Sequence, residues 1–148
     1  MGHTKKTRAV LLCRTASKKA TNAENGILLQ RNILRPWIEQ QGYDLVKEIT
    51  ESGVGCFKIP LEKRDAIHEL KKMAVNKEFD VLVVYKGDRL CRTIKDIHEI
   101  IDFLNSHGIK VISYCEGEIT TAVKDRFTAH LRHWNDEEYE EENHNGTT

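Results

Sequence analysis

No apolar run in this sequence exceeds five residues; Ala9-Val10-Leu11-Leu12-Cys13 and Val81-Leu82-Val83-Val84-Tyr85 are the longest. A helix that crosses a bilayer needs about 20, so a membrane-spanning protein is excluded. The opening residues Met1 to Lys6 lead directly into a strand-like segment, without the apolar stretch of a signal peptide. The expectation is a cytoplasmic protein. There is no C-x-x-C among Cys13, Cys56, Cys91 and Cys115, and a metal cluster or disulfide framework needs tighter spacing or a secretory context. Cys13 and Cys115 sit in strand-like segments, where a small buried thiol is expected. Of the seven histidines, His130 and His133 share a helix face but have no third ligand nearby.

Nucleotide-binding signatures are missing too. G-x-x-x-x-G-K-[ST] does not occur, nor does G-x-G-x-x-G after the first strand-like segment. No acidic cluster offers a magnesium site. Net charge is zero, from 23 Lys and Arg against 23 Asp and Glu. That balance argues against a polyanionic partner only until it is divided by position. Residues 136–148 carry six acids (Asp136, Glu137, Glu138, Glu140, Glu141, Glu142) and no Lys or Arg, so residues 1–135 hold 23 basic and 17 acidic groups, a net of +6. We read one domain over 1–135 and an acidic tail, expected to be disordered, over 136–148.

What is present is an alternation of strand and helix. Residues 9–15 read as a buried strand. Residues 24–41 follow at helical spacing through Ile27, Leu28, Ile33, Leu34, Trp37 and Ile38, with Gly42 as the stop and Pro36 as a point of kinking or restart. Residues 44–50 are a second strand and 51–60 a loop. Residues 61–77 are amphipathic through Ile67, Leu70, Met73 and Ala74, and 79–85 form the strongest strand. Thr93 caps a helix that runs through Ile97, Ile100, Ile101 and Leu104 to Gly108. Residues 109–114 are a further strand, and Val123, Phe127, Leu131 and Trp134 trace one face of a last helix. Uncharged central strands alternating with helices imply an α/β fold, a mostly parallel sheet of four to five strands covered on both faces.

In such sheets functional groups gather at the carboxyl ends of the strands. Arg14 closes the first strand there, and Lys86, Asp88, Arg89 and Arg92 follow the third. Arg64 opens the second helix. Guanidiniums converging at one edge suit a phosphate, since each planar fork binds two oxygens and keeps its charge. Solvated surface arginines in loops explain the same spacing equally well.

These motifs, in order, resemble the catalytic domain of serine recombinases, the resolvase/invertase and large serine integrase family, over residues 8–135. The family's Arg-Val-Ser-Thr is matched by Arg14-Thr15-Ala16-Ser17, its first-helix Gln by Gln30, and its Arg-Pro-Gly-Leu-x-x-Leu by the stretch from Arg64 to Leu70. Asp-Arg-Leu-Ser-Arg is matched by Asp88-Arg89-Leu90-Cys91-Arg92, the threonines after the fourth strand by Thr120-Thr121, and the long dimerisation helix by 127–134. The resemblance implies a resolvase-like fold ending in that long helix. It implies a serine hydroxyl that attacks a DNA phosphate and leaves a 5′ phosphoserine link and a free 3′ hydroxyl. Strands are then exchanged in a tetramer built from dimers, with no metal, cofactor or ATP and no membrane. Arg14, Arg64, Arg89 and Arg92 would neutralise the phosphate, Asp88 would position and Gln30 would support.

The chain departs from this pattern at its centre. Ala16 holds the nucleophile slot, and Ser17 stands one residue on. In a continuing strand, 14 and 16 share a face and 17 points away. Three readings stand: a native loss that leaves a non-catalytic homologue, a shift of the nucleophile to Ser17, or an engineered substitution. Thr15 and Thr21 are weaker nucleophiles. The family's loop Ser-Gly is Gly55-Cys56 here, and its Asp before the threonines is Ile119, with Glu118 adjacent. Residues 136–148 are too few for the DNA-binding domain that follows the long helix in the family. That leaves a catalytic fragment, a truncated paralogue, or a regulator that co-assembles with a full-length recombinase. An α/β domain that binds a small phosphorylated anion is the remaining alternative.

Overall fold

The computed structural model describes residues 6–15, 20–52, 60–91 and 93–120. Strand β1 (Arg8–Thr15) leads to helix α1 (Ala20–Gln40) and strand β2 (Asp44–Ser52). A short 3₁₀ turn (Leu61–Lys63) precedes α2 (Asp65–Val75). Then come β3 (Val81–Val84), a second 3₁₀ turn (Gly87–Arg89), α3 (Ile94–Ser106), β4 (Lys110–Ser113) and β5 (Gly117–Ile119). The sheet order is β2-β1-β3-β4-β5; the first four strands are parallel and β5 runs antiparallel to β4.

This is the expected α/β architecture, and alternation along β1 shows why. Val10 and Leu12 face a cluster with Ile67 and Leu70 of α2 and Ile97, Ile100 and Leu104 of α3. Ala9, Leu11 and Cys13 face Ile27, Leu34 and Ile38 of α1. Because successive side chains point to opposite faces, a strand covered on both sides must be apolar throughout. Every residue from Ala9 to Cys13 is accordingly buried. Full burial of one such leucine contributes about 1.5–3 kcal/mol, so β1 tolerates a polar substitution poorly.

Several boundaries and exposures differ from expectation. Helix α1 starts at Ala20 and runs unbroken through Pro36. Asn32 and Pro36 are both exposed, so water can satisfy the carbonyl that proline cannot bond and the helix has no need to restart. Leu28 lies on the outward side of α1, 52% exposed. The amphipathic stretch 61–77 divides at Arg64, whose backbone is extended (φ −87°, ψ 118°). Cys115 is exposed rather than buried, since β4 ends at Ser113 and the chain has already turned. β5 is too short for periodicity to reveal. The helix signals hold: Thr93 Oγ1 accepts the Asp96 amide at 3.2 Å, and Gly42 and Gly108 take left-handed φ values of 78° and 76° just beyond α1 and α3. The last helix from Val123 and the tail 136–148 lie outside the described residues, as does Cys56. No described helix is long and apolar enough to cross a membrane.

Candidate active site

The parallel strands deliver β1, β2 and β3 to one edge of the sheet, and their ends supply the charged groups there. β1 ends in Arg14 and Thr15, β2 reaches Glu51, and β3 feeds the turn Gly87–Arg89. Arg14 is 0% exposed. Its guanidinium points under the turn after β3, donating from Nη2 to the Asp88 carbonyl (2.5 Å) and from Nε to the Arg89 carbonyl (3.1 Å). Gln30 reaches from α1 and bonds the Arg14 backbone twice, accepting from its N–H (3.3 Å) and donating to its carbonyl (3.0 Å). Nε2 also donates to the Gly26 carbonyl one turn back. The amide therefore acts like a short extra strand that seats the end of β1 against α1.

Arg64 is also turned inward, at 2% exposure. Its Nε donates to Glu51 Oε2 (3.1 Å) and its Nη2 to Glu51 Oε1, a fork-on-fork pair. Nη1 donates to the Leu90 carbonyl (2.6 Å) and lies 3.8 Å from Cys91 Sγ. This explains the break between the 3₁₀ turn and α2: an extended Arg64 sends its side chain down between β2 and the loop after β3. Asp88 is 1% exposed. Arg89 keeps its Nε 3.6 Å from Asp88 Oδ1 and its side chain 25% exposed. Among the three described arginines of this edge, Arg89 is the one that meets solvent.

The structure thus brings Arg14, Gln30, Arg64, Asp88 and Arg89 together. Ala16, Ser17 and Arg92 lie outside the described residues, as do Gly55 and Thr121. Sequence reasoning missed Glu51, which it assigned to a loop. The signal was available in strand alternation: Ile49 and Glu51 lie two apart on β2, and both are buried, so the face that takes Ile49 takes Glu51 as well. It also missed Glu116, whose Oε1 accepts the Gly87 amide at 2.9 Å. Burial pushes the Cys13 thiol up to about 11. At neutral pH that group is protonated and packs as an apolar side chain, not as a nucleophile.

A family model described as the resolvase N-terminal domain matches residues 9–148. Among solved structures, the N-terminal catalytic domain of TP901-1 integrase is 27% identical, covers 92% of this chain and 99% of that one, and superposes with a TM-score of 0.70. A resolvase family site-specific recombinase from Streptococcus pneumoniae, 15% identical over 92% of this chain and 90% of that one, shares the fold at a TM-score of 0.64. The C-terminal catalytic domain of ISC1926 TnpA, an IS607-like serine recombinase, is 23% identical over 72% of this chain and 68% of that one, with a TM-score of 0.59. No curated protein sequence matches.

Proposed function

The chain belongs to the resolvase N-terminal domain family, the catalytic domain of serine site-specific recombinases, and on that premise we propose that its arginine-rich sheet edge acts on DNA phosphodiesters. The observation that carries the reading is the loop after β3. It presents the half-buried Arg89 to solvent beside the buried Asp88, and it is tied through the Asp88 and Arg89 carbonyls to Arg14, two residues before Ala16.

The step is a transesterification. A serine Oγ bonds to phosphorus as the bond from phosphorus to the 3′ oxygen breaks; the serine proton is released and the departing oxygen takes one up. Reversal reseals the strand, and because one ester replaces another no external energy source is consumed. Negative charge accumulates on the non-bridging oxygens, and fixed guanidiniums stabilise it without rearranging. Arg89 supplies one, Arg92 a second. Arg14 supplies charge from beneath, Arg64, its own charge met by Glu51, holds the loop through the Leu90 carbonyl, Asp88 orients Arg89, and Gln30 seats the end of β1. Ser17 is the hydroxyl offered next to the family's slot at Ala16. Assembly into dimers and tetramers proceeds through the segment from about Val123.

The test is incubation of the chain with a pool of nicked DNA duplexes of random sequence, followed by denaturing electrophoresis. A protein–DNA adduct that maps to Ser17 supports the shifted nucleophile. An adduct that appears only in Ala16→Ser supports a catalytic framework that lacks its nucleophile. Adducts from neither variant overturn catalysis by this chain. Ala16 itself favours a second reading, a non-catalytic module that co-assembles with a full-length recombinase. Mixed oligomers with such a recombinase on co-purification support it, and a monomer indifferent to recombinases sinks it.

A further inference from the structure

The loop from Lys86 to Cys91 is held by more than its own turn. Its internal bonds run from the Arg89 amide to the Lys86 carbonyl (2.9 Å) and from the Leu90 and Cys91 amides to the Gly87 carbonyl (3.0 and 3.2 Å). Among the groups those bonds do not use are the Gly87 N–H and the carbonyls of Asp88, Arg89 and Leu90. The three carbonyls are bonded by Arg14 and Arg64, which both belong to the β1, β2 and α2 side of the loop. The Gly87 N–H is bonded from the opposite side, by the Glu116 carboxylate in the turn between β4 and β5.

Glu116 is itself fixed. Its Oε1 accepts the Ser113 hydroxyl at 2.5 Å, and its own N–H donates to Ser113 Oγ at 3.2 Å. Ser113 is 1% exposed, and its longer contact to the Tyr85 carbonyl, 3.4 Å, sets the same hydroxyl against the end of β3. An ionised acceptor on a backbone N–H makes a charge-assisted bond, stronger than a neutral one. It lies at the first residue of the turn that carries Asp88 and Arg89.

We propose that Glu116 is a positioning residue for Arg89: held by Ser113, it closes the third tie on the loop through Gly87 and so fixes where the half-buried Arg89 side chain stands. The inference rests on the reading of Arg89 as the phosphate-facing arginine. Preorganisation is what such a group needs, and a misplacement of about 1 Å costs on the order of 100-fold in rate. Arg14 and Arg64 hold one side of the loop, so without Glu116 it pivots about those ties and carries Arg89 with it.

The experiment compares Glu116→Ala with Glu116→Gln, which keeps an acceptor oxygen for Gly87 and Ser113, each in the full chain carrying Ala16→Ser. Two readouts are taken: the rate of adduct formation at saturating nicked duplex, and the ¹⁵N–¹H signal of the Arg89 side-chain Nε, assigned by its loss in Arg89→Lys. Glu116→Ala is expected to slow adduct formation about 100-fold with little change in the DNA concentration at half-maximal rate, and to shift the Arg89 signal. Glu116→Gln is expected to return both to within a few-fold of the parent. A lower melting temperature with rate and signal unchanged overturns the proposal. If Ala16→Ser forms no adduct, the functional reading fails, and the Arg89 signal alone decides the positioning role. If Glu116→Ala does not fold, Ser113→Ala, which releases the carboxylate without removing it, is read the same way.

Discussion

β1 carries an arginine near each end, and the two ends of the sheet treat the same chemistry in opposite ways. At its start Arg8 pairs with Asp80 across to β3 (Nε to Oδ2, 3.1 Å), with the two side chains 40% and 43% exposed. At its finish lies the Arg64–Glu51 pair, with side chains 1% and 7% exposed. Both are arginine–carboxylate forks. In water their attraction is largely screened and the pair adds little. Out of water each charge depends on the other, because neither can be solvated alone. The comparison teaches that ion pairs at the amino edge trim the sheet, whereas those at the carboxyl edge define where a loop can stand.

The sharpest way to break this contrast is Glu51→Ala. It strands the Arg64 guanidinium in the interior, with an expected loss of about 3–5 kcal/mol in urea unfolding; adding Arg64→Leu is expected to recover part of it. A loss no larger than that of Asp80→Ala would erase the distinction between the two ends. Next in size is Gln30→Leu, which leaves the Arg14 N–H and carbonyl without the side chain that bonds them. Its expected cost is about 1–3 kcal/mol by the same measurement.

Titration gives a third test. The folded Cys13 thiol titrates at about 11 rather than its ordinary value near 9, so the folded state binds more protons between those values. Stability is therefore held below pH 9 and lost as the pH climbs toward 11, which urea midpoints across that range will report. In the native state at pH 8, a thiol reagent is expected to label the exposed Cys115 and spare Cys13. Smallest of all is the surface pair of Arg35 and Glu48, whose guanidinium bond holds the Glu48 carboxyl below the usual carboxylate range. A lowered value stabilises the fold above the ordinary value of 4.5 and loses that contribution in acid. The small melting-temperature difference between the parent and Glu48→Gln at pH 7 should close as the pH falls below 4.5.

Much of the fold was legible because it rests on local periodicity. Val10 and Leu12, Ile67 and Leu70, Ile97 and Ile100 are spaced as strand and helix faces must be, and all are buried. The cap at Thr93 and the stops at Gly42 and Gly108 are one-residue signals with local causes. The site was legible as residue types: Arg14, Gln30, Arg64, Asp88 and Arg89 do meet at one edge. What misled was reading Glu51 as a loop residue. That assignment looks reasonable within its own segment, and only its pairing with Arg64, the residue that opens α2, corrects it.

The sequence by itself determined the α/β alternation, the edge at which charged groups collect and the absence of a serine at position 16. All three follow from neighbours along the chain. Only the tertiary structure decided which way the guanidiniums turn. Arg14 and Arg64 point inward toward the Asp88 and Leu90 carbonyls and the Glu51 carboxylate, which the fold buries, and a buried polar group without a partner costs more than a solvated arginine gains. Arg89, on the loop those bonds hold, stays partly open to solvent.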